Sequence, residues 1–197
     1  MTVTDVNVVK SAIFERPDDA NKGTLGSLLC VCGSYGMAGA AVMSAKGALR
    51  TGIGLAKCAL PRSIYPIVAQ TILESVYYPL SENADGRISK VNVPFLVSES
   101  CKSSATLVGC GLGVCDDTLK IVFSLIENST TPLVLDADAL NCVAKQPEIL
   151  LRKKAPIIIT PHPGEMSRLT GLATPLVNAE RERVALDFAQ KYGVVTV

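Results

Sequence analysis

Short apolar runs alternate along this chain with segments of helical spacing, and most of the runs end in Gly, Pro or Asp. The runs fall at Gly26–Gly33, Ile53–Leu60, Glu74–Leu80, Ala105–Gly109, Pro132–Leu135, Ile157–Ile159 and Val194–Val197. Helical segments are expected over Thr4–Phe14, Ala41–Arg50, Pro61–Ile72 (interrupted at Tyr65-Pro66), Asp116–Glu127, the stretch to Arg152 broken at Pro147, and Leu176–Tyr192. In the Asp116 segment Leu119, Val122, Phe123 and Ile126 share one face at helical spacing. Ser81–Lys90 reads as a surface loop. Runs too short for helices, joined through helices by short loops, imply a three-layer α/β domain with a mostly parallel central sheet and right-handed crossovers. A sheet covered on both faces buries both sides of its strands, which accounts for a composition that is 48% hydrophobic.

No apolar run approaches the ~18 residues a membrane helix needs, and the first residues, MTVTDVNVVKSAIFERPDD, lack the apolar core of a signal peptide. A cytoplasmic protein is expected. The net charge of +1 comes from Lys and Arg spread along the chain. That argues against a nucleic-acid partner and against a membrane surface. Seven cysteines at irregular spacing, with a single histidine, make a zinc site improbable and reduced, mostly buried thiols the expectation.

That histidine, His162, stands between Pro161 and Pro163 at the end of the run Ile157–Ile159. Each proline fixes φ, and Pro161 presses Thr160 toward an extended conformation. His162 is therefore on a stiff turn at the carboxyl end of a strand, the edge where open α/β sheets bind ligands. Three more turns reach the same edge if the strands are parallel. Gly33–Ala41, GSYGMAGAA, is small and Gly-rich before a helix, so its amides can hold a phosphate, or it can simply let helix and sheet pack closely. Gly109-Cys110-Gly111-Leu112-Gly113 allows close backbone approach to a ligand, or is a plain turn. Asp136 and Asp138 share a face if the strand continues, where they can bond a polar ligand or hold hydrated Mg²⁺; otherwise Asp138 caps the next helix. Glu165, early in its helix, either lines the site or complements the helix dipole.

Together these segments resemble the ADP/ATP-dependent NAD(P)H-hydrate dehydratases, which have a ribokinase-like fold. The resemblance is carried, in order, by Asn21-Lys22-Gly23, Gly33–Ala41, Gly109–Gly113, Asp136-Ala-Asp-Ala-Leu-Asn141 and Thr160-Pro-His-Pro-Gly-Glu165. Two small departures are the absence of a His before Lys22-Gly23 and Cys110 where family members usually have Pro.

The resemblance implies a carbon–oxygen lyase that repairs nicotinamide nucleotides. It would use ADP or ATP with Mg²⁺ to remove water from the S form of hydrated NADH or NADPH, the hydroxyl being phosphorylated and then lost as phosphate. By motif, Ala40, Gly111 and His162 would contact the hydrated dinucleotide, with Gly109, Gly113 and Asp138 lining its site. Asp136, Asn141, Glu165 and Lys22 would lie near the phosphates or order Mg²⁺-bound water, with no direct metal ligand. Family members commonly form homotetramers, so a homo-oligomer is implied.

In the family, the strand that begins at Val194 continues into a Leu-Lys-Gly segment for the adenine nucleotide. A Gly-Gly-x-Gly-Asp motif follows, which supplies an anion hole and the general base. Neither is in this sequence. The resemblance thus implies a single ribokinase-like domain over 1–197 cut short at its C-terminus, an uncovered apolar sheet edge, no catalytic Asp, and an inactive chain holding most of the dinucleotide half of the site. The alternatives are a thiazole or pyridoxal-like kinase of the same fold, or a non-catalytic nucleotide-binding homologue.

Overall fold

The computed structural model describes residues 18–21 and 23–197. The helix expected over Thr4–Phe14 and the candidate phosphate residue Lys22 lie outside the described residues. Among the described residues, strands β1 (Ser27–Val31), β2 (Leu55–Pro61), β3 (Val76–Leu80), β4 (Ala105–Val108), β5 (Leu133–Leu135), β6 (Ile157–Ile159) and β7 (Val195–Thr196) form one sheet in the order β3-β2-β1-β4-β5-β6-β7. Every pairing is parallel. The order reverses between β1 and β4, and that switch point opens a crevice at the carboxyl ends of the strands.

The sheet alternates strictly, and each side feeds a separate core. Cys30 and Cys32 of the β1 segment, with Cys58 and Leu60 of β2, pack under helices α1 (Ala38–Arg50) and α2 (Tyr65–Thr71) through Ala41, Ala45 and Val68. Leu29 and Val31 point the other way with Val108, Leu133, Leu135, Ile157 and Ile159. They meet α3 (Val93–Cys101), α4 (Asp116–Asn128), α5 (Asp138–Val143), α6 (Pro163–Thr170), α7 (Thr174–Ala179) and α8 (Arg181–Tyr192). Each fully buried Leu or Ile on these faces contributes roughly 1.5–3 kcal/mol. Val134 and Ile158, opposite each other in register, belong to neither core and stay half-buried. β3 and β7 are the edge strands, and at β7 Val195 and Val197 are exposed.

Several elements differ from expectation. α1 packs through its alanines; a Cβ added at Gly39 or Gly47 would meet nothing, so these glycines are not needed for close packing. Pro66 sits in the first turn of α2, where a missing N–H costs nothing, and so starts that helix after a short 3-10 turn instead of interrupting one. The face of α4 is rotated: Ile121, Val122, Leu125 and Ile126 are buried, while Leu119 and Phe123 sit at the core margin. The expected Leu176–Tyr192 helix is two helices that break at Glu180 (φ −130°), although Val184, Phe188 and Tyr192 do share the buried side. α3 had no counterpart in the sequence-based expectation. The Ser81–Lys90 loop is anchored: Ile88 is fully buried, and Glu82 bridges back to it. All seven cysteines are free, four of them buried. Among the described residues no helix is long and apolar enough to cross a membrane.

Candidate functional site

The four turns singled out in the sequence all leave the same edge of the sheet, and each is tied to its neighbour. The β1 and β4 turns are joined by Gly33 N–H donating to the Cys110 carbonyl (2.9 Å) and by the buried Ser34 hydroxyl donating to the Gly111 carbonyl (2.8 Å). The β4 and β5 turns are joined by Gly113 N–H donating to Asp138 Oδ2 (2.8 Å). The β5 and β6 turns are joined by the Thr160 hydroxyl donating to Asp136 Oδ1 (2.9 Å) and by Arg168 Nη1 donating to Asn141 Oδ1 (3.0 Å). Four strands at about 4.8 Å spacing make a rim roughly 14 Å long, suited to an elongated ligand.

Backbone conformation explains why these turns need their residues. Gly109 and Gly111 have φ of +126° and +66°. A Cβ at Gly109 would run into the Asp136 carbonyl, and one at Gly111 would stand 2.6 Å from the Ala40 Cβ. Gly113 is similarly pressed by the Arg87 side chain. Ala40 and Gly111 thus face each other at the switch point. In the β1 turn the amides of Tyr35, Met37 and Ala40 are bonded to Gly86, Ser34 and Met37 carbonyls. The amides of Ala38 and Gly39, at the start of α1, find no acceptor among the described residues. An N-terminus of a 13-residue helix with open amides attracts an anion.

Asp136 and Asp138 do not act as a pair. Ala137 between them has φ +50°, the one positive value outside glycine among the described residues, and α5 begins at once. The extended backbone needed for a shared face is absent. Asp136 is bonded to Thr160 and, at 3.5 Å, receives the Cys110 thiol; Asp138 receives Gly113 N–H and, at 3.3 Å, Asn141 Nδ2. Nor does Asp138 cap its own helix, since it sits in the first turn and makes no side-chain cap bond. Among the described residues no three His, Cys, Asp or Glu side chains stand together as a metal site.

His162 is the N-cap of α6. Its Nδ1 accepts the N–H groups of Gly164 (3.0 Å) and Glu165 (3.4 Å), so the ring proton is on Nε2, which lies 3.3 Å from Glu165 Oε1. Glu165 Oε2 accepts the His162 N–H at 2.9 Å, which closes a reciprocal capping box. The His162 side chain is 62% exposed and that of Glu165 only 6%. The imidazole is therefore exposed at the β6 turn, while Glu165 is turned inward, with Oε2 on the His162 N–H and Oε1 beside the ring.

Asn21 Oδ1 accepts Gly23 N–H in a turn before β1. Arg87 had no signal in the sequence, being in a loop 26 positions before Gly113; only the folded chain lays its guanidinium stem on that glycine. The same loop holds Tyr35, whose N–H donates to the Gly86 carbonyl and whose ring is 75% exposed. Val114, Asn141, Lys145 and Arg168 line an open depression of about 470 Å³.

The family model for NAD(P)H-hydrate dehydratase matches residues 28–197. A bifunctional NAD(P)H-hydrate repair enzyme Nnr from Thermofilum pendens is 38% identical over 176 residues, which are 89% of this chain and 34% of that one. An ADP-dependent (S)-NAD(P)H-hydrate dehydratase from Neisseria meningitidis serogroup B is 30% identical, over 92% of this chain and 58% of its own. The crystal structure of the Bacillus subtilis ADP/ATP-dependent NAD(P)H-hydrate dehydratase, co-crystallised with ATP/Mg²⁺, superposes with a TM-score of 0.78 at 27% identity and covers 97% of this chain and 64% of that one. The fold is accordingly ribokinase-like. The chain spans about a third of the length of the bifunctional relative and just under two thirds of the Bacillus one. With the matched residues running from β1 to β7 and taking in all four turns of the rim, the chain belongs to the NAD(P)H-hydrate dehydratase family.

Proposed function

We propose that this chain supplies the dinucleotide side of a site that dehydrates the S form of hydrated NADH or NADPH, a carbon–oxygen lyase reaction dependent on ADP or ATP. The observation that carries the proposal is the hydrogen-bonded rim itself. Ala40 with Gly111, Asp138 with Gly113, and His162 beside Thr160 stand side by side at the carboxyl edge. In this reading the open amides of Ala38 and Gly39 receive a dinucleotide phosphate, and the missing side chain of Gly111 lets the ligand backbone approach. The exposed His162 ring stacks on the hydrated nicotinamide, or gives up the Glu165 contact to donate Nε2–H to it. Gly109 and Gly113 shape the floor, and Asp138 fixes it.

An adenine nucleotide bound with Mg²⁺ would supply the phosphoryl group that converts the hydroxyl to a leaving phosphate. Asp136, Asn141, Lys22 and Glu165 remain the candidates for its surroundings. Asp136 and Asp138 face different partners, so they give Mg²⁺ no shared direct seat, and any role for them there passes through water. Seven unpaired thiols suit a reducing compartment, and the reading places the chain in the cytoplasm as a homo-oligomer of the kind the family resemblance implies. The thiazole or pyridoxal-like kinase alternative draws only on the shared fold.

The test is calorimetric titration of the chain with freshly prepared S-form hydrated NADH, with NADH as the control. Binding of the hydrate that His162→Ala weakens at least tenfold is expected. No binding, or binding indifferent to His162, would remove the proposal.

A further inference from the structure

Four of the seven cysteines gather directly beneath the rim. Cys30, Cys32 and Cys58 lie in the core under α1, and the half-buried Cys110 packs against them. By strict alternation from Val108, Cys110 belongs on the opposite face of the sheet. The φ of +126° at Gly109 breaks that alternation and turns it to the Cys32 side. The β1–β4 ladder brackets the two cysteines: Gly109 N–H donates to the Val31 carbonyl (3.2 Å) and Gly33 N–H to the Cys110 carbonyl (2.9 Å), with Cys32 between Val31 and Gly33. The register continues from the Val31–Val108 pair, so Cys110 is diagonal to Cys32, one position further along. With strands about 4.8 Å apart and about 3.3 Å per residue along a strand, a diagonal pair is roughly 6 Å apart, within the ~4.4–6.8 Å Cα separation a disulfide spans. Helix α1 links this cluster to the rim: Ala41 and Ala45 pack against the cysteines, and the adjacent Ser44 hydroxyl donates to the carbonyl of Ala40, the residue that meets Gly111, at 2.9 Å.

We propose that Cys110 and Cys32 are a reversible oxidation site, closing to a disulfide with a hydroperoxide as oxidant and fastening the Gly109–Gly113 turn to the end of β1. Cys110 is the attacking thiol because it is only half-buried, whereas Cys32 is 1% exposed. The neighbouring Cys32 thiol, outweighing both burial and the Asp136 carboxylate that Cys110 also touches, holds Cys110 below the usual thiol range, while Cys110 and burial together raise Cys32. The Cys110 thiolate attacks one peroxide oxygen, the O–O bond breaks, and Cys110 becomes a sulfenic acid while hydroxide leaves and is protonated to water. The Cys32 sulfur then attacks the sulfenic sulfur. The S–S bond forms, the S–O bond breaks, and the departing hydroxide takes the Cys32 proton as a second water. Two thiols lose two electrons, and the peroxide gains them. Cys30 and Cys58, though register partners, are each 2% exposed and raised by burial, which withholds them from the oxidant. This inference does not depend on the proposed function.

The experiment treats the intact chain with hydrogen peroxide at equimolar concentration, alkylates it under denaturing conditions with N-ethylmaleimide, and maps the peptides by mass spectrometry. The expected result is two fewer alkylated thiols, a Cys32–Cys110 cross-linked peptide, and full reversal by dithiothreitol. Cys110→Ser should abolish the cross-link, and Cys142→Ser should leave it unchanged. The proposal is overturned if all thiols remain alkylatable, if Cys110 advances alone to the sulfinic acid, or if the bridge joins Cys30 to Cys58.

Discussion

The Asp138 carboxylate accepts the backbone N–H of Gly113 across two different turns, at 2.8 Å, so the end of β5 holds the end of β4 in place. The bond is charge-assisted and half-buried, and it fixes a glycine whose φ of +75° few other residues would adopt. Removing the acceptor leaves Gly113 N–H without a partner, which costs about 1–3 kcal/mol. Asp138→Ala should lower the stability measured by urea unfolding by that amount. Asp138→Asn keeps an oxygen in place and should lose under half as much. Equal losses in the two variants would show that charge, not the bond to Gly113, is what Asp138 contributes.

His162 has two separable duties. Its Nδ1 caps α6, and the rest of its ring is exposed at the β6 turn, with Nε2 beside Glu165. Losing an N-cap costs about 0.5–2 kcal/mol. His162→Ala should therefore lose both stability and affinity for the hydrated dinucleotide. His162→Asn, with a side chain suited to capping, should recover most of the stability and none of the affinity. Recovery of both in calorimetry and thermal unfolding would assign His162 to the helix alone.

The parallel sheet and the four-turn edge were legible in the sequence because they rest on local signals: apolar runs closed by Gly109, Asp136 and Pro161, and the fixed φ on both sides of His162. What was not legible rests on conformation or contact that no local pattern encodes. Ala137 takes a positive φ where glycine would have signalled a turn, and that single torsion separates Asp136 from Asp138. Arg87 meets Gly113 through tertiary packing alone. α3 carries Pro94 in its first turn and a mixed apolar–polar pattern, and so gives little helical periodicity to read. Glu165 was open between ligand and helix end, and its burial turns it toward His162.

Gly111→Ala tests the switch-point contact. The added Cβ would stand 2.6 Å from the Ala40 Cβ, on a backbone with φ +66°. The left-handed conformation alone costs about 1–2 kcal/mol, and the clash adds to it. Gly36→Ala has a comparable φ of +83° but open space around it, so it should show the conformational cost only. The difference between the two unfolding free energies isolates the contact of Gly111 with Ala40 and the neighbouring Met37. If the two variants are equally stable, the turns are not held against each other as the structure has them.

Glu99 sets an acid limit on stability. Its side chain is 12% exposed and accepts from Lys102 Nζ at 2.9 Å and the Tyr78 hydroxyl at 3.1 Å, with Lys57 Nζ at 3.6 Å. The bond from Lys102 leads the interactions that hold its carboxyl below the ordinary value of 4.5 in the folded chain. A depressed folded value means the stabilisation is complete above the unfolded value near 4.5 and is lost as pH falls through the lower folded one. At pH 7, Glu99→Gln should be less stable by roughly 1.5–3 kcal/mol, since hydrogen bonds to a charged group are worth that much. It also leaves the equally buried Lys57 without its counter-charge. As pH falls below 4.5, the wild-type midpoint in urea should drop faster than that of the variant, and the two curves should converge. A gap that stays constant from neutral pH into the acid range would mean that the carboxylate charge contributes nothing to holding β2 and α3 together.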